Sequence, residues 1–322
     1  MKKNKLWILI PAVLFLSLSG CKVEEQGFLS ENLRYNVANL QVNQGSVTYT
    51  DPLIANGSTT PLMVKLLAVR NKKTGELAPE FLQEGEISTY LSEITWQDTT
   101  LQQLNAKIGK AKYPPLMLNE IGGRVGFTQA TNFVDTGQYS IDVEVSNIAG
   151  KKNFNNILDF SVIGAKKDSV FYQACTSSEF GAETDFQPVS NYRIDIQHIS
   201  GEENKIIYMW LDKNGVPFNP KKGEIIKRGD RPTFKNWSPY YPELVTDTAL
   251  VYQYPDVSGL TYPIISGTYT GTQFWEGDPI CYYRIVGTAN SLGRNLNPVS
   301  TIKFYLPGTY IVRFKFSTIT HI

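Results

Sequence analysis

Apolar and polar residues alternate most cleanly between Gly137 and Val145. Tyr139, Ile141, Val143 and Val145 share one side, and Gln138, Ser140, Asp142 and Glu144 the other. A period of two places successive side chains on opposite sides of an extended chain, so this segment predicts a half-buried strand. The arrangement recurs near the C-terminal end, where Tyr310, Val312, Phe314 and Phe316 align after Pro307-Gly308-Thr309. Asn147 to Lys151 turns the chain, and Ile157 to Ile163 returns as a further strand. Asn191 to Ile199 and Lys205 to Leu211 also read as strands, the latter followed by Lys213-Asn214-Gly215, a hairpin turn by residue type. Upstream, the run Leu62 to Val69 is apolar almost throughout and predicts a buried strand, ended by a turn over Asn71 to Gly75. One helix interrupts the pattern: Leu101, Leu104 and Ile108 fall on one face after the cap-like Asp98-Thr99-Thr100, and Tyr113-Pro114-Pro115 stops it.

Both alternating segments open with Gly-x-Tyr. This resembles the tyrosine corner of immunoglobulin-like sandwiches. The resemblance implies an all-β chain of two consecutive immunoglobulin-like β-sandwich domains with one short helix. The polar stretch Ala165-Lys166-Lys167-Asp168 marks the division, giving units over 31–164 and 165–322, each long enough to bury its own core.

The N-terminus carries different information. Lys2, Lys3 and Lys5 precede an apolar run of eleven residues, Leu6 to Leu16. A bilayer core of about 30 Å needs roughly 20 residues to span it, so residues 1–20 read as a signal peptide. The run ends in Leu18-Ser19-Gly20-Cys21, which resembles the lipobox of bacterial lipoproteins. The resemblance implies cleavage before Cys21 and acylation of its thiol and new amino group, with 21–30 as a lipidated tether. Two or more acyl chains anchor a protein stably where one does not. Lys22-Val23-Glu24-Glu25 resembles the export signal of Bacteroidota surface lipoproteins, although Val23 interrupts its acidic pair. That implies the outer face of the outer membrane, with the periplasmic face as the alternative.

Removing the leader leaves 28 basic against 30 acidic residues, a net charge of about −2. Such a balance argues against general nucleic-acid binding. Cys175 and Cys281 remain, and an exported compartment permits a disulfide between them; two buried free thiols are the alternative. Zinc needs three or four closely spaced Cys or His ligands. The mature chain offers those two cysteines with His198 and His321, all far apart, so no metal and no cofactor is expected. His198 shares a face with Tyr192, Ile194 and Ile196 and reads as a core or strand-end histidine, while His321 reads as solvated. No Gly-x-Ser-x-Gly elbow and no phosphate-cradling loop occur. Asp212-Lys213-Asn214-Gly215 lacks the further ligands of a calcium loop. A glycosidase needs two carboxylates, but nothing singles out a pair, so no enzyme is expected.

Aromatic residues crowd between Phe234 and Tyr283. Two clusters there fit a core poorly. Asn236-Trp237-Ser238-Pro239-Tyr240-Tyr241-Pro242 is broken by two prolines and belongs to a surface connection. Gly271-Thr272-Gln273-Phe274-Trp275-Glu276-Gly277-Asp278 sets a tryptophan in an expected loop tip. Flat rings on rigid loops suit the C–H faces of sugars, and carboxylates accept their hydroxyl hydrogens. Trp237, Tyr240, Tyr241, Trp275, Glu276 and Asp278 are therefore candidate ligand residues, with end-capping of the sandwich or a partner protein as the alternative. Just upstream, Lys221, Lys222, Lys227, Arg228, Arg231 and Lys235 face only Glu224 and Asp230, a local excess that attracts an anionic polysaccharide or forms a solvated face.

Taken together, the lipobox, the post-cysteine stretch and the Gly-x-Tyr strands resemble a Bacteroidota surface lipoprotein of the kind found beside starch-utilisation-type uptake systems. The likeness implies a lipid-anchored, non-catalytic accessory that binds polysaccharide for a TonB-dependent outer-membrane transporter complex. The alternative is a structural or partner-docking envelope lipoprotein without glycan binding. The leader yields one direct test. Cys21→Ser expressed in the native host is expected to lose labelled palmitate and to leave the membrane fraction; persistence there would refute the anchor.

Overall fold

The computed structural model describes residues 27–322 apart from Trp96, Gly181, 258–260, 265–266, 270–273 and 277–278; at 182–183, 267–269 and 274–276 it describes the backbone alone. The leader and Cys21 lie outside the described residues. The chain is built of sheets. Its first half carries β1 (Asn39–Asn43), β2 (Thr48–Tyr49), β3 (Met63–Asn71), β4 (Gly85–Tyr90), β5 (Ile108–Tyr113), β6 (Leu116–Leu118), β7 (Val125–Phe127), β8 (Gly137–Asn147) and β9 (Gly150–Ile163). Four of these form a sheet in the order β1-β9-β8-β3, three form β2-β7-β6, and β4 and β5 make a separate ladder. The core they enclose contains Tyr139, Ile141, Val143 and Val145, the face that the alternation marks out.

The second half carries β10 (Asp168–Glu179), β11 (Ala182–Pro188), β12 (Tyr192–Ile199), β13 (Lys205–Leu211), β14 (Ile225–Lys227), β15 (Leu244–Val245) and β16 (Leu250–Gln253). It continues with β17 (Gly267–Tyr269), β18 (Phe274–Glu276), β19 (Ile280–Ile285), β20 (Asn295–Phe304) and β21 (Thr309–Phe316). Two five-stranded sheets result, β11-β10-β20-β19-β14 and β12-β21-β13-β16-β15, with β17-β18 as a small hairpin. They bury one core, to which the second alternating face contributes Tyr310, Val312, Phe314 and Phe316. The architecture is that of all-β sandwiches. Among the described residues no sheet draws strands from both sides of residues 164–167, and the two main cores share no residue.

Each Gly-x-Tyr tyrosine ties its strand to backbone four residues upstream. Tyr139 Oη donates to Asp135 O at 3.1 Å, and Tyr310 Oη accepts from Leu306 N at 3.1 Å while donating to Lys167 O at 2.6 Å. Gly308 is obligatory here: its φ is +122°, and a Cβ would sit 2.5 Å from Ile199 O.

Several local expectations are corrected. The apolar run at β3 is the edge strand of its sheet, beside β8, with isolated bridges to Ile121 and Leu77 on its other side; Val64 and Val69 are buried while Met63 and Leu67 face outward. The helix α1 (Leu101–Ala106) has the expected start, where Thr100 and Gln103 form a reciprocal capping box. It ends two residues before Ile108, which instead opens β5 against Tyr90 of β4. A second short helix, α2 (Phe234–Trp237), lies in the aromatic region. The excursion β4–α1–β5 also departs from a simple pair of modules. Leu104 is fully buried against Tyr240 of the second half, with Tyr90, Ile94, Ile108, Tyr241 and Ile264 packed around them. Ser88 Oγ adds a hydrogen bond of 3.0 Å to Asp256 O.

The disulfide is excluded by register. Cys175 in β10 stands opposite Pro298 and Cys281 in β19 opposite Ser300, so β20 lies between them. Two strand spacings are ~10 Å, beyond the ~7 Å Cα separation a bridge tolerates. Both cysteines are free and buried. Burial pushes the Cys175 thiol up to about 12 and raises that of Cys281 as well. In the folded protein both are expected to resist iodoacetamide. Both should alkylate in guanidinium without any reductant, as read by peptide mass spectrometry.

Candidate functional site

The loop expected to display aromatic rings turns inward. Asn236 Oδ1 accepts from Thr233 N–H at 2.9 Å, which closes the first turn of α2. Residues three apart on a helix share a face, and this one sends Phe234 and Trp237 into the core, each 0% exposed. Trp237 Nε1 donates to Ile280 O at 2.8 Å. Pro239 and Pro242 keep the following segment out of the sheets, yet Tyr240 is only 5% exposed because Leu104 covers it. Its hydroxyl has no hydrogen-bond partner among the described residues. Tyr241 is half-buried beside the same cluster. Trp237 and Tyr240 thus have no free ring face for a ligand, and their candidacy is withdrawn. Trp275 and Glu276 belong to β18, where Trp275 is paired with Thr268 of β17, rather than to a loop tip. Their side chains and the whole of Asp278 lie outside the described residues.

Around this loop opens a cleft of about 970 Å³, lined by residues that include Thr99, Ile225, Lys227, Lys235, Asn236, Pro239, Glu243 and Leu250. Tyr283 closes its floor but is buried. Its hydroxyl accepts from Phe234 N–H at 3.0 Å and lies 3.0 Å from Tyr252 Oη, which in turn donates to Glu243 Oε2 at 2.6 Å. The hydrogen bonds of this chain are made within the protein, and the buried Tyr283 is the one aromatic among the cleft's described lining residues.

A smaller depression, about 380 Å³, differs in kind. It lies on the outer face of the β11-β10-β20-β19-β14 sheet. Register sets its floor in rungs: Tyr172–Thr301–Ile280, then Ala174–Val299–Tyr282. A third rung joins Thr176 to Asn297, whose Oδ1 accepts from Arg284 Nε at 3.0 Å. Small side chains on the central strand keep the floor low, and rings rise beside it. Tyr172 is 51% exposed, Phe186 from β11 is 38% exposed, and Tyr282 is half-buried. Past the opposite edge strand β14, the Arg228 guanidinium reaches the Phe186 ring at 4.8 Å, so a cation–π contact joins the two edges of the sheet across the floor. Arg231 lies 5.6 Å from the Tyr282 ring. The signal for this trough is present in the sequence as Tyr172, Tyr282 and Phe186 on outward positions of strands. They are spread over more than a hundred residues, and only the sheet order brings them together.

The histidines occupy structural places. His198 ends β12 with Nε2 2.9 Å from Pro307 O and its ring 4.6 Å from that of Tyr310. His321 is not solvated as expected: it packs on Phe218 at 4.9 Å and stands 2.8 Å from Glu224 Oε2. Asp212 is a turn residue, its Oδ1 accepting from the N–H groups of Asn214 and Val216.

No family model and no curated protein matches the sequence. Among solved structures, a family 123 glycoside hydrolase from Clostridium perfringens is similar at 13% identity and a TM-score of 0.22, over 40% of this chain and 23% of that one. A SusE-like, surface-located polysaccharide-binding protein from the Bacteroides thetaiotaomicron heparin utilisation locus is similar at 7% identity and a TM-score of 0.27, over 88% of this chain and 53% of that one. The chain thus spans about half or less of the structures it matches, and likeness this slight carries no argument about its function.

Burial makes Trp237 a core residue with a measurable weight. Trp237→Ala is expected to destabilise the protein by ~3–5 kcal/mol and to lower its urea midpoint. A variant as stable as the parent would return the ring to the surface.

Proposed function

We propose that this chain is a lipid-anchored, non-catalytic glycan-binding protein of the cell surface, and that the trough on the outer sheet face is its binding site. One observation carries the proposal: Tyr172, Phe186 and Tyr282 rise around a floor of small and hydroxyl-bearing side chains on a rigid five-stranded sheet. Sugars present flat apolar C–H faces edged by hydroxyls. A partly exposed ring supplies contact area at little conformational cost. Thr176, half-buried at floor level, offers a hydroxyl with which a saccharide edge exchanges hydrogen bonds. A groove open at the surface suits an extended polymer better than a small metabolite enclosed on all sides.

The cell-surface location rests on the leader, Cys21 and the stretch Lys22-Val23-Glu24-Glu25. Surface capture for a TonB-dependent transporter is the role that fits such a location, and co-purification of the tagged protein with an outer-membrane transporter is the expected outcome.

Tyr172→Ala and Tyr282→Ala are each expected to weaken retention in polysaccharide-containing native gels about tenfold, equivalent to ~1.4 kcal/mol, with unchanged circular dichroism. Full retention in both variants would remove the trough as the site. Failure of the parent protein to bind any polymer of a broad panel would remove the function.

A further inference from the structure

Both sheets of the second half end at the large cleft. β14 closes one sheet and β15 the other, and among the described residues each pairs with a single neighbouring strand, β19 and β16 respectively. Ile225 and Lys227 of β14 line the cleft together with Val245 of β15 and Leu250 of β16. The alternation of an antiparallel ladder fixes where their backbone groups point. Glu224 O accepts from Val286 N–H, so the next bonded pair on β14 is Ile226 with Arg284. Ile225 and Lys227 therefore turn their N–H and C=O groups away from β19. On β15, Thr246 N–H donates to Ala249 O, which makes Leu244 and Val251 the next bonded pair and turns the groups of Val245 outward. Open edges of this kind are templates for a further strand.

Charge adds a second constraint. Lys227 and Lys235 are exposed on the cleft, and among the described residues neither ammonium has an ion-pair or hydrogen-bond partner. Lys221 and Lys222, in the turn Pro220–Lys222 ahead of β14, are exposed as well. Glu243 is the one carboxylate among the cleft's described lining residues, and its Oε2 already accepts from Tyr252 Oη at 2.6 Å. Glu224, the residue before β14, turns inward: its Oε2 accepts from Asn219 N–H at 2.6 Å and stands 2.8 Å from His321 Nε2. The cleft thus holds cations without matching anions. An ammonium on a flexible stem meets a carboxylate as a point charge, without demanding one fixed geometry. Beside these charges Ile225 and Leu250 supply an apolar lining.

We infer that the large cleft receives an extended acidic segment of a partner protein, added as a strand on β14 with carboxylates against Lys227 and Lys235. Side chains alternate along such a strand. The residue opposite Lys227 is acidic, the one opposite Ile225 is apolar, and the residue between them faces the other way, beside Ile226. An acidic saccharide would meet the lysines but leave the edge N–H and C=O groups unmatched, whereas a peptide carries the same groups at the same spacing. The inference is independent of the glycan reading, since the trough occupies the outer face of that sheet.

The test is fluorescence anisotropy with the whole chain and a labelled octapeptide that repeats Val-Thr-Glu-Thr twice, which sets valine and glutamate two apart on one face. Binding is expected below ~1 mM, about tenfold weaker when glutamine replaces glutamate. Two N-methylated forms test strand addition, one blocking the valine and glutamate nitrogens and the other the threonine nitrogens. One form should bind about tenfold more weakly and the other like the parent peptide, because only one edge of the peptide meets β14. Lys227→Gln combined with Lys235→Gln should weaken binding about tenfold, while Lys110→Gln, on β5, should leave it unchanged. The peptide series uses the unsubstituted protein, so it tests the inference even if the double variant folds poorly. Equal affinity for the glutamate and glutamine peptides, equal affinity for both methylated forms, or no binding at ~1 mM would each overturn it. Tighter binding of trigalacturonate than of the peptide, read by competition, would assign the cleft to acidic saccharides and also overturn it.

Discussion

The second half depends on burying many large aromatic side chains between two sheets while giving partners to several of their hydroxyls. Trp210 stacks on Phe314 with centroids 5.0 Å apart, and Tyr208 stands edge-on to Phe234, Tyr252, Tyr283 and Phe314. Rings of this size supply much of the apolar area that holds a sandwich together, but each tyrosine brings a hydroxyl that costs free energy if left dry. For three groups of these tyrosines the structure meets that cost with directed contacts, while Tyr192 Oη and Tyr240 Oη have no partner among the described residues. Tyr254 Oη donates to Gly308 O at 2.6 Å, Tyr262 meets Ser238, and Tyr283 and Tyr252 lead out to Glu243. The loop from Thr233 to Glu243 is consequently part of the core's hydrogen bonding, which is why it folds inward.

That inward fold also explains how the halves meet. Tyr240 comes to the surface of the second core and would stand exposed there. Leu104 of α1 covers it, and β4 and β5 hold α1 in place through a six-residue ladder. Lys107 Nζ, 2.7 Å from both Asp98 Oδ2 and Glu93 O, ties the end of the helix back to the loop before it. A short helix with little intrinsic stability persists here because it is packed, not because its sequence favours it.

With the loop from Thr233 to Glu243 committed to the core, the proposed recognition is placed on the sheet face. The outer side of β11-β10-β20-β19-β14 combines rigidity, exposed rings and a basic edge. Rigid placement matters for weak, repeated contacts with a polymer, because little freedom is lost on binding. The edge strand β14 stands between the trough and the large cleft, with Lys227 lining the cleft and Arg228 the trough.

Local periodicity was enough to reveal the strands, their buried faces and the Gly-x-Tyr entries, because alternation is a property of neighbouring residues along one strand. The start of α1 was legible for the same reason: a capping box spans four residues. What the order of residues left open was which side of a connection faces water. Trp237 reads as a loop residue by its prolines and becomes core through a single helical turn that pairs it with Phe234. Leu62 to Val69 reads as buried and becomes an edge because no strand pairs beyond it. Tyr172, Phe186 and Tyr282 converge only when β11, β10 and β19 take their places around β20. Glu224 turns inward only when the C-terminal His321 returns to meet it. Each of these outcomes depends on contacts between residues distant in the chain, and such contacts exist only in the folded molecule.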